Sequence, residues 1–234
     1  MGWFDMGRYS RRLDLRQRCT GLLVSLLLLP LLLFSLAAKP GAALVAGGAI
    51  TAVLLGGIHA VSGSKRHLLV GVVLMLPALF VRWFGLATGI GSDALLMVPS
   101  LYDIIPLLFF VYVLCDYVFR SDQVRADHMR GAACIYLLLG MVWASVYLVL
   151  ERWRPGSFRF PLADGEHYMG VYRELIYFSY VTLTTLGYGD SVPIAPLARA
   201  FALLESISGV LFVGILVARL AGVLGMSRPP IADD

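Results

Sequence analysis

"VTLTTLGYGD", Val181–Asp190, decides how this chain is read. Two glycines flank a tyrosine, threonines come just before, and an aspartate closes the stretch. Taken alone, glycine and aspartate favour an ordinary turn. The surroundings argue otherwise, because the stretch lies between two long apolar runs. A membrane interior accepts irregular backbone only where it is buried in protein or lines a water-filled path.

Those runs belong to a chain of 234 residues, 59% apolar and only 15% charged, with a mean hydropathy of +0.81. A soluble domain is nearer about one-quarter charged, so the chain reads as an all-α integral membrane protein. The first apolar run reads as a retained span rather than a signal peptide: no convincing small-residue cleavage site follows it, and more apolar segments come at once. The net charge of +4 says little in itself, since the placement of charges sets topology. Cys19, Cys115 and Cys134 stand at unrelated spacings and suggest neither a disulfide framework nor a zinc site. They read as small buried apolar residues.

About 20 apolar residues in a helix cross the hydrocarbon core. Six stretches qualify: 21–38, 42–61, 68–88, 95–119, 132–150 and 198–224. Arg8, Arg11, Arg12, Arg16 and Arg18 precede the first, Lys65 and Arg66 follow the second, and Arg120, Arg125 and Arg130 follow the fourth. Alternating spans put these groups on one side, which the positive-inside rule assigns to the cytoplasm together with both termini. Arg152, Arg154 and Arg159 on the other side stand among Glu151, Asp164, Glu166 and Glu174. The N-terminal stretch reads either as a short interfacial helix on anionic lipid or as a loose leader. Residues 225–234 are expected to be too short for a soluble ligand-binding module.

Between the fifth and sixth spans, residues 152–170 form a polar loop. "YRELIYFSYVTLTT", Tyr172–Thr185, is apolar and aromatic but too short to cross, so it reads as a re-entrant helix. "LGYGD" then returns as extended backbone and "SVPIAP" leads to the last span. Gly187 and Gly189 can take backbone angles closed to other residues. Alternated with ordinary residues, such angles can turn successive carbonyls the same way, and a ring of carbonyls can replace the water shell of a cation. The Thr185 hydroxyl adds an oxygen at the inner end. The C-terminal end of the short helix favours a cation below it.

"TTLGYGD" resembles the selectivity-filter motif of the potassium channel superfamily. The order of outer helix, turret, pore helix, filter and inner helix resembles it too, over about 132–224. The resemblance implies filter carbonyls from Thr185, Leu186, Gly187 and Tyr188, with Gly189 in the same strand and Asp190 at the outer mouth. It implies Tyr177 and Phe178 as aromatics packed around the filter, with Thr184 as further support, Pro193 after it, Gly209 as the inner-helix hinge, and Glu151 ending the outer helix. Leu186 replaces the usual valine; its carbonyl is expected to face the ion while its side chain points behind. Val181 stands where some bacterial channels carry a carboxylate that interacts with the filter aspartate, so that link is expected to be absent.

Six spans with the pore in the last two also resemble voltage-gated channels. A voltage sensor needs regularly spaced arginines or lysines in its fourth span. That stretch here has none, and carries Asp103 and Asp116 instead. The expected division is a cytoplasmic segment 1–20, a four-helix non-voltage-sensing domain 21–130, a pore domain 131–226 and a short cytoplasmic tail 227–234. Arg82 can pair with Asp103 or snorkel to the outer headgroups, and its place toward the outer end favours snorkelling. His59 reads as an interfacial histidine with a local hydrogen bond. Glu205, in the last span, is costly to bury without a partner, water or a proton. It is a gating or pH-sensing candidate, with the pore helix as its expected partner.

One chain supplies one filter strand, so the resemblance implies a homotetramer with fourfold symmetry, in contact with membrane lipids and with no nucleic-acid partner. Val210, Val213 and Val217 stand at helical spacing, either lining the cavity or packing between subunits. No cofactor is expected beyond permeant potassium. The chain is expected not to be an enzyme, since the hydroxyls of Thr182–Thr185 have no nearby base. A prokaryotic inner membrane is the expected location on composition. The expected activity is passive potassium conduction; the alternatives are a non-conducting accessory subunit and a weakly selective cation channel.

Overall fold

The computed structural model describes residues 3–35, 41–88, 93–120, 126–161 and 168–226. Its helices are α1 Trp3–Ser35, α2 Ala42–Val61, α3 Lys65–Thr88, α4 Asp93–Phe119, α5 Ala126–Trp153, α6 Tyr168–Leu183 and α7 Pro196–Met226. Two short strands, β1 Phe158–Arg159 and β2 Val192–Pro193, complete the order.

Helix is the only way for a single segment to satisfy its own backbone in lipid, and each apolar run has become one. Among the described residues, five helices are long and apolar enough to cross a membrane: Leu44–Val61, Lys65–Gly85, Tyr102–Phe119, Ala126–Trp153 and Pro196–Gly222. The apolar part of α1, Cys19–Ser35, is shorter. The expected first span ran to Ala38, and residues 36–38 lie outside those described. The N-terminal stretch is not a separate element, because α1 runs through from Trp3 and past Pro30 as one helix. The tail 227–234 and the middle of the turret, 162–167, also lie outside the described residues.

α5 is the axle of the fold. It packs against α1, α4, α6 and α7, and its buried residues surround it rather than forming one stripe, from Cys134 and Ile135 through Leu138 and Met141 to Tyr147 and Leu148. A helix buried on all sides marks an interior position. α1–α4 pack among themselves, and α4 lies along α5. α7 is the opposite case: Leu203, Leu204, Ile207, Val210, Leu211, Val213, Ile215 and Val217 are all exposed.

The all-α expectation needs one correction. β1 and β2 pair antiparallel, Phe158 opposite Pro193 and Arg159 opposite Val192. The Ser157 carbonyl also accepts the Ile194 N–H at 2.7 Å and the Ala195 N–H at 3.1 Å. The sequence around the pairing is rich in proline and glycine, which hides so short a strand pair from any periodicity. The pairing ties the segment after α5 to the segment before α7.

Arg82 corrects a second expectation. Its guanidinium pairs with the Asp103 carboxylate, joining α3 to α4, and the two side chains are 9% and 2% exposed. Snorkelling loses because the partner charge is already within the bundle, where an isolated ion is far costlier than a paired one. The cysteines are all free, yet the fold brings two of them together, with the Cys134 Sγ 3.5 Å from the Cys19 carbonyl oxygen.

Candidate functional site

The site begins at the end of α6. The Thr184 N–H bonds the Tyr180 carbonyl at 3.0 Å, and the Thr185 N–H bonds the Thr182 carbonyl at 3.0 Å. The Leu186 and Gly187 N–H groups both turn back to the Val181 carbonyl, at 2.9 and 3.4 Å. The last carbonyls of a helix have no intrahelical partner, and here the following strand supplies the donors. The Thr184 hydroxyl joins them, donating to the Tyr180 carbonyl at 2.6 Å. Among the described residues, the carbonyls of Thr185, Leu186, Gly187 and Tyr188 accept no hydrogen bond.

The backbone alternates. Thr185, Gly187 and Gly189 have φ of 60°, 60° and 77°, and Leu186 and Tyr188 between them do not have positive φ. Glycine takes such angles freely. Threonine does not, since a β-branched residue at positive φ is a true outlier, and such strain costs about 1–3 kcal/mol. The alternation is the geometry by which successive carbonyls can face one side. The side chains of Leu186 and Tyr188 are 54% and 66% exposed.

Asp190 closes the strand. Its Oδ2 accepts the Tyr177 hydroxyl at 2.6 Å and its Oδ1 accepts the Ser191 N–H at 2.8 Å. The Tyr177 hydrogen bond holds the Asp190 carboxyl below its ordinary range, with the backbone N–H groups adding to it. Val181 offers no carboxylate, so the aspartate is anchored by Tyr177 instead. Tyr177 meets Phe34 of α1 edge to face, with ring centres 6.2 Å apart. Phe178, adjacent in sequence, faces the opposite way. It is buried against Tyr147 and Phe158, at 5.2 and 5.3 Å. The two aromatics grouped together on sequence therefore have different surroundings, one at the mouth and one in the core.

On the other side of α6, α5 and α7 meet it. The Tyr136 hydroxyl donates to the Leu183 carbonyl at 2.9 Å, and the Tyr180 hydroxyl donates to the Leu137 carbonyl at 2.8 Å. A side chain on Gly140 would lie 2.4 Å from the Tyr180 ring. A side chain on Gly209 would lie 2.6 Å from the Leu183 carbonyl oxygen. Gly209 thus sits at a close approach of α7 to the end of α6.

Glu205 is fully buried. Its two oxygens each have a hydroxyl at 2.5 Å, Ser179 of α6 and Tyr147 of α5. The expected bond to the pore helix is present, within the same chain. Tyr147 and Ser179 had no signal of their own in the sequence, because they lie 58 and 26 residues from Glu205. Glu151 accepts the Gly156 N–H at 2.8 Å and the Phe158 N–H at 2.9 Å, and so shapes the turn into the turret. The His59 ring is exposed, and its local hydrogen bonds are made by its carbonyl, which accepts from Ser62. Val210, Val213 and Val217 are 57%, 45% and 57% exposed within one chain. No group of His, Cys, Asp and Glu suited to a metal ion occurs among the described residues.

Residues 133–225 match the family described as "Ion channel". The chain is 32% identical over 111 residues to the inward rectifier potassium channel Kirbac3.1 of Paramagnetospirillum magnetotacticum, covering 42% of this chain and 33% of that protein. It is 42% identical over 57 residues to the calcium-gated potassium channel TvoK of Thermoplasma volcanium, covering 24% of this chain and 16% of that one. The chain thus spans a third or less of the length of these curated relatives. No solved structure matches it. Over residues 133–225, then, the chain is similar to ion channels.

Proposed function

We propose that the chain is a potassium-selective channel that conducts passively through a filter formed by residues 185–189. The observation that carries this reading is the alternating backbone at Thr185, Gly187 and Gly189 beside carbonyls that accept no protein donor. Such oxygens can take the place of an ion's hydration shell. The similarity of the pore region to two potassium channels supports the choice of ion. Thr185 contributes its hydroxyl at the inner end, and Asp190 fixes the outer mouth.

The pore is a homotetramer in this reading. Each chain supplies one wall, which fits the exposed apolar face of α7 and the exposed Leu186 and Tyr188 side chains. Six spans cross the membrane, α1–α5 and α7, with α6 re-entrant. Both termini are cytoplasmic and the membrane is a prokaryotic inner membrane. Residues 21–130 form a peripheral domain that does not sense voltage. It lacks a ladder of basic residues in α4, and its buried charge is the Arg82–Asp103 pair. Below the filter, Val210, Val213 and Val217 give an apolar lining that can close by dewetting.

The test is flux in liposomes containing the full chain, first under a potassium gradient and then under a sodium gradient, with barium as blocker. Barium-sensitive potassium flux with little sodium flux supports the proposal. Equal flux of both ions would replace it with a weakly selective channel, and no flux in either would favour the non-conducting accessory role.

A further inference from the structure

The hydrogen bonds around Glu205 contain a proton count. The Ser179 Oγ lies 2.7 Å from the Gly140 carbonyl oxygen and 2.5 Å from the Glu205 Oε1. A serine hydroxyl has one proton to give, and a carbonyl can only accept. An ionised carboxylate can also only accept. Were Glu205 ionised, Ser179 would face two acceptors with one proton, leaving one close oxygen pair with no hydrogen between. Tyr147 cannot supply the missing proton, because its hydroxyl is committed to the other oxygen, Oε2, at 2.5 Å.

A neutral carboxyl satisfies every contact. The Glu205 O–H donates to the Ser179 Oγ, Ser179 donates to the Gly140 carbonyl, and Tyr147 donates to the Glu205 Oε2. The surroundings agree with this count. Tyr147 of α5 and Ser179 of α6 are hydrogen-bonded to the carboxyl, and Ser208 of α7 donates to the Glu205 backbone carbonyl. None of them carries positive charge. Among the described residues no Lys or Arg pairs with Glu205. A buried anion without a cation is far costlier than a buried acid that donates and accepts.

We propose that Glu205 is held as a neutral carboxylic acid and is the donor that closes a three-helix clasp behind the filter. The clasp joins α5 at Gly140 and Tyr147, α6 at Ser179 and α7 at Glu205. It grips the pore helix at Ser179, two residues before Val181, whose carbonyl receives the Leu186 and Gly187 N–H groups. Glu205 is a positioning residue: it touches no ion and acts through the pore helix. Only the flux readout below rests on the proposed conduction.

The experiment is infrared spectroscopy of the full-length protein in liposomes at neutral pH, comparing the native chain with Glu205→Gln and repeating both in deuterated buffer. The expected result is a carbonyl stretch of a neutral carboxylic acid in the native spectrum, shifted by deuterium and lost in E205Q. Absence of such a band, or its persistence unchanged in E205Q, overturns the proposal whether or not the protein conducts. Flux adds the positioning test. Glutamine can donate to Ser179 and accept from Tyr147, so E205Q keeps potassium flux while Glu205→Ala loses it. Equal flux in E205A and the native chain would show that the clasp positions nothing.

Discussion

Gly209→Ala tests whether α7 approaches the pore helix as closely as the geometry states. The added methyl would lie 2.6 Å from the Leu183 carbonyl oxygen, 3.0 Å from its Cδ1 and 3.3 Å from its Cγ. The nearest atom is backbone and cannot rotate away. Relief requires a shift of α7 or of the pore-helix end, and inserting a methyl into a packed site costs about 1–3 kcal/mol. The same carbonyl holds the Tyr136 hydroxyl at 2.9 Å, so displacing it also weakens a bond worth about 0.5–1.5 kcal/mol. Alanine's better helix propensity returns about 0.8–1.0 kcal/mol. The balance is a loss of about 1–3 kcal/mol. Gly214 is the control on the same helix, because a side chain there meets no atom within 4 Å in the chain. Unfolding in mixed micelles by titrated detergent reads both variants, and liposome flux accompanies it. G209A should be clearly less stable than G214A. Equal stability with flux lost in G209A alone would refute the contact and leave a hinge requirement in its place.

Three further outcomes are expected. Tyr177→Phe removes the hydroxyl from Asp190. The Asp190 carboxyl is held below its ordinary 3.8 chiefly by that bond, so its contribution is present above that value and is lost as pH falls through the lowered one. In Y177F the loss therefore begins at higher pH, which the acid limb of a flux–pH profile detects. Asp103→Asn removes the carboxylate paired with Arg82 and should cost about 3–5 kcal/mol; replacing both Arg82 and Asp103 with apolar residues of similar size should recover most of it, as read by unfolding in micelles. Gly140→Ala drives a methyl into the Tyr180 ring, 2.4 Å away, and should cost about 1–3 kcal/mol in the same assay.

The pore region was legible because its signals are local. The glycine alternation of "TTLGYGD" announces a backbone that reappears as the positive φ angles at Gly187 and Gly189, and the short apolar stretch before it is the helix Tyr168–Leu183. The helix ends drifted by a few residues, since polar ends such as Lys65–His67 and Ala126–Gly131 continue a helix beyond its apolar part. What hydropathy could not give was partnership between elements. Arg82 and Asp103, Tyr177 and Asp190, and Tyr147 and Glu205 are each joined by tertiary packing, and a residue's own neighbours carry no mark of it. Hydropathy likewise says that Tyr177 and Phe178 are aromatic, but only the rotation of the pore helix decides which reaches the mouth. Thr185 is the case where sequence preference points the wrong way, because threonine at positive φ is disfavoured and is held there by the hydrogen bonds to the helix end.

The two N–H groups received by the Ser157 carbonyl have a mechanical meaning. They close a hoop that begins at the end of α5, contains α6 and residues 184–191, and ends at the start of α7. A pull between the outer ends of those two helices is borne by the hoop's clasp and bypasses the filter strand. At the other end of α6, Tyr136 and Gly209 both bear on the Leu183 carbonyl.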